Sequence, residues 1–504
     1  METTSESHKN TRFFWVVLAL IAALALSVRL YANAGKEVWL DELFTLQAAA
    51  EPTLAGLYRN FLVEDVHPPL YNVLAWLTVQ AIGYNHEALR VLSLAISMAT
   101  LVALALGVRK WLGMWPALFS AFLFAVLQPS VYFAVEARAG ALAMALGLWF
   151  SLAWSVLAER VWLNKALAAK EPLLLGLAGG LLALTSYPGL AFVGFGFLLL
   201  VALALIKRPT GWKWVLAAPA LTFLLFAPWL PTFLYHLSPR TFWAEPVSFL
   251  SGLADTIAFM LDPYLPLYTL AGFVALTAAR LWLAAPVEDK RQSKIPVWLA
   301  GLCAGFVVVL LTGLALANSE KFLPRMMLMC LPGVLIALAA GYEWLVARFT
   351  VGAKAGVAVA AFGMVVAVAV PSIRQDRLVP VGIRHNSGME TTAEWVDDFH
   401  QAGIPLAVVP YLKDPGGDIN YGWSKESLKD AFGYLLIDEE LQVDRVIETQ
   451  SEMAEFCQGL SGEALLWHVH SPLPDGWERE IACQVHEVRR LNAGHALYRI
   501  IRSG

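Results

Sequence analysis

The chain alternates long apolar runs with short polar breaks. Apolar stretches occupy 13–31, 70–83, 88–108, 115–132, 141–158, 172–188, 190–206, 214–235, 264–284, 296–317, 326–346 and 355–371. Most are long enough to cross a hydrocarbon core of roughly 30 Å as a helix, which takes about 20 residues. The stretch 70–83 is shorter, so length alone allows it either to span or to lie along the interface. The pattern changes at Pro371. Beyond it, "TTAEWVDDFHQAG" reads as a helix with a glycine stop, and "KESLKDAFGYLL" and "TQSEMAEFCQGL" as further helices. "IPLAVVPYL", "ALLWHVH" and "ALYRII" read as strands, and "KDPGGDINYGW" as a loop punctuated by Pro-Gly-Gly. Two domains follow: a membrane domain over 1–371 and a soluble α/β domain over 372–504.

Composition supports a membrane protein. Hydrophobic residues make up 58% of the chain and charged residues 15%, whereas about a quarter of an ordinary soluble domain is charged. The net charge of −4 gives no electrostatic reason to expect a nucleic-acid partner. The first apolar run follows Lys9 and Arg12 and ends near Ala32-Asn33-Ala34, a small-x-small pattern. It is longer than a signal-peptide core of about 7–15 residues, so it is read as an uncleaved first helix.

Charge decides the stretch 70–83. With this stretch in the interface and the N-terminus in the cytoplasm, the inner loops carry Arg109 and Lys110; Arg160, Lys165 and Lys170; Lys207, Arg208 and Lys213; Lys290, Arg291 and Lys294; and Arg348 and Lys354. That is a positive-inside pattern, and a spanning 70–83 would reverse it. The chain is therefore expected to be a polytopic α-helical membrane protein of about eleven transmembrane helices. An interfacial segment would lie in the first outer loop, and the C-terminal domain would be extracytoplasmic. The same parity puts Asp41, Glu42, Asp65, His67, Glu136, Arg138, Tyr187, His236, Arg240, Lys321 and Arg325 on the outer side.

Each of these groups has a plain structural role open to it as well as a chemical one. In "EVWLDELFTL", Asp41 suits a helix N-cap, and Asp41 and Glu42 both suit a first helical turn. Asp41 also suits a general base acting on an acceptor hydroxyl. In "VEDVHPPLYNVLAWL", Pro68-Pro69 sets an extended entry into a helix. Asp65 and His67 are then either loop residues or groups that bind a phosphate or orient an acceptor. Glu136 and Arg138 can form a weak local ion pair, or Arg138 can hold an anionic leaving group with its planar guanidinium. Lys321 and Arg325 are either interfacial anchors or further positive charge for the same pocket.

Taken in order, the acidic pair after the first helix, "HPPLYNVLAWL", "EALRVLSLAIS", "VEARAGALAMALGLWFSLAW", "LLALTSYPGLAFV" and "KFLPRMMLMCLPGVLIALAAGYEWL" resemble a GT-C-type membrane glycosyltransferase. The resemblance is to the broad protein-mannosyltransferase and aminoarabinose-transferase-like superfamily of bacteria. It covers about residues 10–346 and continues more loosely into the tail. It implies a GT-C-like fold, a polyprenyl-phosphate sugar donor, and transfer on the outer face to a lipid, glycan or protein acceptor. By the same resemblance Asp41 matches the catalytic acid, His67 the HPPL histidine, and Arg138 the arginine after the third spanning helix. Glu42, Asp65, Glu136, Tyr187, Lys321 and Arg325 are expected to line the donor and acceptor site. This chain departs from the family pattern in two places. It has Arg138-Ala139-Gly140 where an R-x-Y is usual, and "KFLPR" where an "RY" is usual, so Lys321 or Arg325 takes that role.

A single displacement at the anomeric carbon, with the leaving phosphate neutralised by Arg138 and Arg325 or Lys321, would invert the configuration. No D-x-D motif is present and no cofactor follows from the residues. Asp41, Glu42, Asp65 and His67 leave a divalent cation open, since oxygen ligands with a histidine suit Mn or Mg. In the tail, an oxidising compartment would allow Cys457 and Cys483 to pair. Cys303 and Cys330 lie in apolar spans and are read as packing residues. The other classes weighed are a lipid-linked glycan polymerase or ligase and a transporter or flippase. The spans show neither mid-membrane charges nor an internal repeat of the kind transporters carry. The expected location is the cytoplasmic (inner) membrane.

Overall fold

A computed structural model describes residues 2–34, 36–65, 67–237, 247–261, 295–317, 319, 322–346, 389–399, 404–410, 425–436, 442–469, 483–490 and 496–502. The protein is a helical membrane bundle carrying a small C-terminal sheet. The bundle is built from α1 (Glu2–Ala34), α2 (Leu40–Ala49), α3 (Leu70–Ile82), α4 (His86–Leu112), α5 (Met114–Val126), α6 (Gln128–Tyr132), α7 (Gly140–Trp162), α8 (Lys170–Ala183), α9 (Tyr187–Lys207), α10 (Ala217–Phe226), α11 (Leu230–His236), α12 (Phe249–Leu261), α13 (Ile295–Leu316) and α14 (Leu331–Val346).

Among the described residues seven helices are long and apolar enough to cross a membrane, or eight if a bent pair counts as one span. That pair, Met114–Val126 and Gln128–Val135, turns by 66° at Leu127. Over the expected span 172–188 the structure has α8, a helix of 14 residues that is not among these seven. The expected spans 264–284 and 355–371 lie outside the described residues.

The stretch 70–83 forms α3, whose 13 residues give about 20 Å of helix, too short for a roughly 30 Å core. The chain also enters and leaves this region at one end of the bundle. Asn33, at the end of α1, donates to Glu87, at the start of α4, over 2.8 Å. Of the basic loops, those around residues 110, 160–170 and 207–213 are described and lie at the other end, where Arg109 stands over the Phe14 ring, the Leu167 amide bonds the Thr210 carbonyl at 2.9 Å and Arg160 pairs with Glu171.

Arg29 explains how the bend at Leu127 is held. Its guanidinium is fully buried and donates to the carbonyls of Ala25, Phe124, Ala125 and Ser130 and to the Ser97 hydroxyl. Phe124 and Ala125 end α5, so a cation occupies the negative end of that helix dipole and satisfies carbonyls freed by the break.

In the tail, α15 (Met389–Phe399), α16 (Lys425–Gly433) and α17 (Gln450–Gly459) accompany five strands: β1 (Leu406–Val409), β2 (Arg445–Val446), β3 (Glu463–His468), β4 (Cys483–Arg490) and β5 (Ala496–Arg502). The strand order is β2-β1-β3-β5-β4, with β1 parallel to β2 and β3, and β5 antiparallel to β3 and β4. The three strands and three helices read from sequence are present; β2 and β4 were not anticipated. The loop "KDPGGDINYGW" lies outside the described residues. Cys457 and Cys483 form a disulfide that ties α17 to β4, while Cys303 and Cys330 are free and buried in the bundle.

Candidate active site

The acidic pair lies on α2, a helix of 10 residues. Asp41 is not its cap: Trp39 holds the extended N-cap conformation, and Asp41 and Glu42 fall in the first turn. The carboxylates point to different places because adjacent helical residues are about 100° apart. Asp41 shares a face with Thr45, one turn on. Arg138 reaches both, with Nη2 3.4 Å from Asp41 Oδ2 and Nη1 3.3 Å from the Thr45 hydroxyl.

Glu42 faces the bundle instead. It is fully buried, accepts from Arg90 Nη2 at 2.7 Å and from the Ala137 amide at 2.8 Å, and lies 3.6 Å from Lys36 Nζ. Burial alone would raise its carboxyl, but Lys36 and Arg90 with the Ala137 bond outweigh it, so the group is held below the usual range. The sequence placed Glu42 among substrate-binding groups. Its oxygens are committed to Arg90 and Ala137, so what it does here is fix α2 to the start of α4 and to the turn before Arg138.

Asp65 is buried and accepts from His67 Nδ1 at 2.7 Å and from Asn72 Nδ2 at 3.1 Å. Burial opposes its charge, yet His67 and Asn72, with Arg138 nearby, keep its carboxyl below the ordinary value. The bond fixes the His67 ring with Nδ1 toward Asp65. The side chain of His67 remains 43% exposed, so Nε2 is open to a ligand.

Tyr187, at the start of α9, lies near enough to Asp65 to feel its charge. His236 Nε2 lies 2.8 Å from the Val63 carbonyl, which can only accept, so Nε2 carries the proton. Nδ1 then accepts from the Tyr187 hydroxyl at 2.6 Å, and that hydroxyl accepts from Trp229 Nε1 at 3.1 Å.

Glu136 is buried, and its Oε1 has no hydrogen-bond partner among the described residues. Burial raises its carboxyl above the usual range; Lys36, Arg325 and Arg138 pull the other way, and Glu42 adds to the rise. Arg325 belongs to the 3-10 turn Pro324–Cys330. That turn approaches α7 closely because residue 147 is Gly: an added Cβ would collide with the Met329 backbone. Gly140, in the departure from R-x-Y, has a similar reason. A Cβ there would come within 2.5 Å of the Phe133 ring, so the space an aromatic would enter is already filled by one. Lys321 lies outside the described residues.

The structure thus gathers Asp41, Asp65, His67, Glu136, Arg138, Tyr187 and Arg325 at the end of the bundle opposite the described basic loops. Arg138 is the centre, acting electrostatically on Asp41, Asp65 and Glu136. The four residues considered for a cation do not converge, since Glu42 turns to Arg90 while Asp65 and His67 bond each other. No group of three or more His, Cys, Asp and Glu able to hold a metal occurs among the described residues. The sequence reading did not single out Arg90, Lys36, Thr45 or Asn72. Arg90 carried a signal, because an ionisable residue inside an apolar span is a functional candidate.

No family model matches the sequence, and no curated protein matches it. Solved structures do. The bundle, the helices of the first loop and the C-terminal sheet together make the GT-C fold. In particular, the chain is similar to ArnT from Cupriavidus metallidurans in the apo state, at 14% identity and a TM-score of 0.58, covering 97% of this chain and 98% of that one. The same ArnT bound to undecaprenyl phosphate matches at 15% identity and a TM-score of 0.55, covering 96% and 98%.

Proposed function

We propose that this protein is an inverting glycosyltransferase that moves a sugar from a polyprenyl-phosphate donor to an acceptor hydroxyl or amine on the outer face of the membrane. One observation carries the reading: Asp41 is the accessible carboxylate of the cluster. Its side chain is 34% exposed, against 0% for Glu42 and 6% for Asp65, and Glu136 is equally enclosed at 2%. Arg138 stands beside it.

The chemistry uses this pairing. The acceptor oxygen or nitrogen attacks the anomeric carbon and passes its proton to the Asp41 carboxylate. The bond from that carbon to the donor phosphate oxygen breaks, and the electron pair leaves with the phosphate. Arg138, Arg325 and His67 are the groups placed to stabilise the released charge. Asp65 holds the His67 ring for this role, and Tyr187, locked by His236 and Trp229, borders the same site. No step is routed through a metal.

A lipid-linked donor is supported by the apolar bundle and by the ArnT structure that contains undecaprenyl phosphate. The outer face is supported by the described basic loops at the opposite end, which favour the cytoplasm, and by the Cys457–Cys483 bond, which suits an oxidising compartment. The N-terminus is then cytoplasmic, the tail extracytoplasmic and the bilayer the inner membrane. The tail from 372 onward is read as a separate extracytoplasmic domain.

Purified protein incubated with a panel of polyprenyl-phosphate sugars and lipid, glycan and protein acceptors is expected to release free polyprenyl phosphate and form one glycosylated product. Movement of the donor between leaflets of a vesicle with no product would support a flippase and overturn the proposal.

A further inference from the structure

The helix that carries Asp41 belongs to several cores at once. Leu46 and Ala49 of α2 pack in the membrane bundle. Phe44 and Ala48 pack with Phe61, Leu62, Phe226 and Trp229. Leu43, with Val38 just before the helix, is fully buried in the core of the C-terminal sheet unit, among Ala393, Val396, Leu428, Phe432 and Trp467. The Asp41 and Thr45 face is the one turned to Arg138. A short helix wedged among three packing units takes its position from all of them, since close-packed interiors transmit displacement.

A polar chain runs alongside the apolar grip. Thr391 of α15 donates to Glu37 Oε1 at 2.5 Å. Tyr434, just after α16, donates to His86 Nδ1 at 2.9 Å, because His86 Nε2 faces Glu87 Oε1 at 3.4 Å and keeps its proton there. Glu87 Oε1 is in turn 3.2 Å from Arg90 Nη1, and Arg90 holds Glu42, the neighbour of Asp41. The Tyr434 ring also stands edge-on to Tyr84, whose hydroxyl is 2.6 Å from the Gln47 amide on α2.

We infer that the C-terminal sheet unit is a positioning element of the active centre: through Leu43 and Tyr434 it sets where α2 holds Asp41 against Arg138. The inference rests on the transferase reading for its kinetic arm only. Leu43 and Tyr434 are positioning residues: Leu43 is buried in the core of the sheet unit and Tyr434 bonds His86. The alternative is that the unit merely rides on the bundle, contributing stability or recruiting acceptors without bearing on α2.

Two measurements on the full-length protein in detergent separate these cases. The first needs no turnover. Asp41→Cys is labelled with a membrane-impermeant maleimide, alone and combined with Leu43→Ala or Tyr434→Phe. A shift of α2 is expected to change the labelling rate at position 41 at least ~5-fold, which corresponds to about 1 kcal/mol in a local opening equilibrium. The second is steady-state transfer in the Asp41 background. A misplaced base is expected to lower kcat ~10-fold or more with donor KM within about twofold, because misplacement of about 1 Å at a reacting group can cost 10²-fold. Leu43→Met, which keeps the apolar volume, is expected to restore kcat. Tyr434→Phe removes one hydroxyl, so it tests the same link should Leu43→Ala not fold. Unchanged labelling and unchanged kcat in both variants would overturn the inference. Equal loss of kcat for Leu43→Ala and Leu43→Met, with labelling unchanged, would also overturn it. Altered labelling with no transfer by any protein, the unsubstituted chain included, would sustain the positioning role and refute the transferase reading.

Discussion

His67 Nδ1 lies 2.7 Å from Asp65 Oδ1, and the second Asp65 oxygen is taken by Asn72 at 3.1 Å. A buried carboxylate therefore aims an exposed imidazole, leaving Nε2 as the reactive edge. Asp65→Asn is expected to weaken donor binding more than His67→Gln alters folding. Loss of a charged hydrogen bond costs about 1.5–3 kcal/mol, roughly ten- to hundredfold in donor KM. Donor KM and the melting temperature of both variants, measured side by side, check this.

The same pair predicts a pH dependence of stability. Asp65 is held below its usual value in the folded protein. A carboxylate lowered on folding stabilises the fold at pH above its unfolded value, near 4, and loses that contribution as pH falls through the folded value. Thermal unfolding between pH 7 and pH 3 should show the wild type losing stability on acidification more steeply than Asp65→Asn. Parallel curves would remove Asp65 from the account.

Asp41→Asn keeps the shape of α2 and removes the proton acceptor. Transfer is expected to fall by ~10²–10⁴, the usual contribution of a general base, with the melting temperature little changed. Full activity in this variant would sink the general-base role.

Arg90→Met should be one of the most damaging changes outside the Asp41–Arg138 pair. It leaves Glu42 fully buried without its nearest cation, a loss of about 3–5 kcal/mol for a buried pair broken on one side. The double variant Arg90→Met with Glu42→Leu removes both charges and should recover much of that stability. Thermal unfolding of the three variants measures it; equal destabilisation in single and double variants would refute the argument.

For topology, Lys110→Cys and Ser451→Cys should react oppositely with an impermeant maleimide applied to intact cells. Position 451, on α17, should label and position 110, in the last turn of α4, should not. Labelling of both from outside would refute the interfacial reading of α3.

Much of this was legible in the linear pattern. Span length and lysine and arginine placement depend on local composition, because a bilayer reads hydropathy and loop charge segment by segment. Counting alone therefore grouped Asp41, His67, Glu136, Arg138 and Arg325 at one end, and the contacts of the bundle agree. Apolar patterning likewise exposed most of the tail, though β2, two residues long, and β4, rich in charge, carry too little apolar pattern to stand out.

What the sequence by itself determined is the membrane class, the succession of most elements and the set of residues brought to one end. Only the tertiary structure decided what each carboxylate does. Asp41 and Glu42 are neighbours with the same chemistry in the chain. The turn of α2 exposes one beside Arg138 and buries the other against Arg90, which is 48 positions away. The grip of the C-terminal unit on Leu43 and His86 joins residues still further apart, Tyr434 being 348 positions from His86. Such pairings depend on where packed helices come to rest, and no local pattern of hydrophobic and polar residues encodes that.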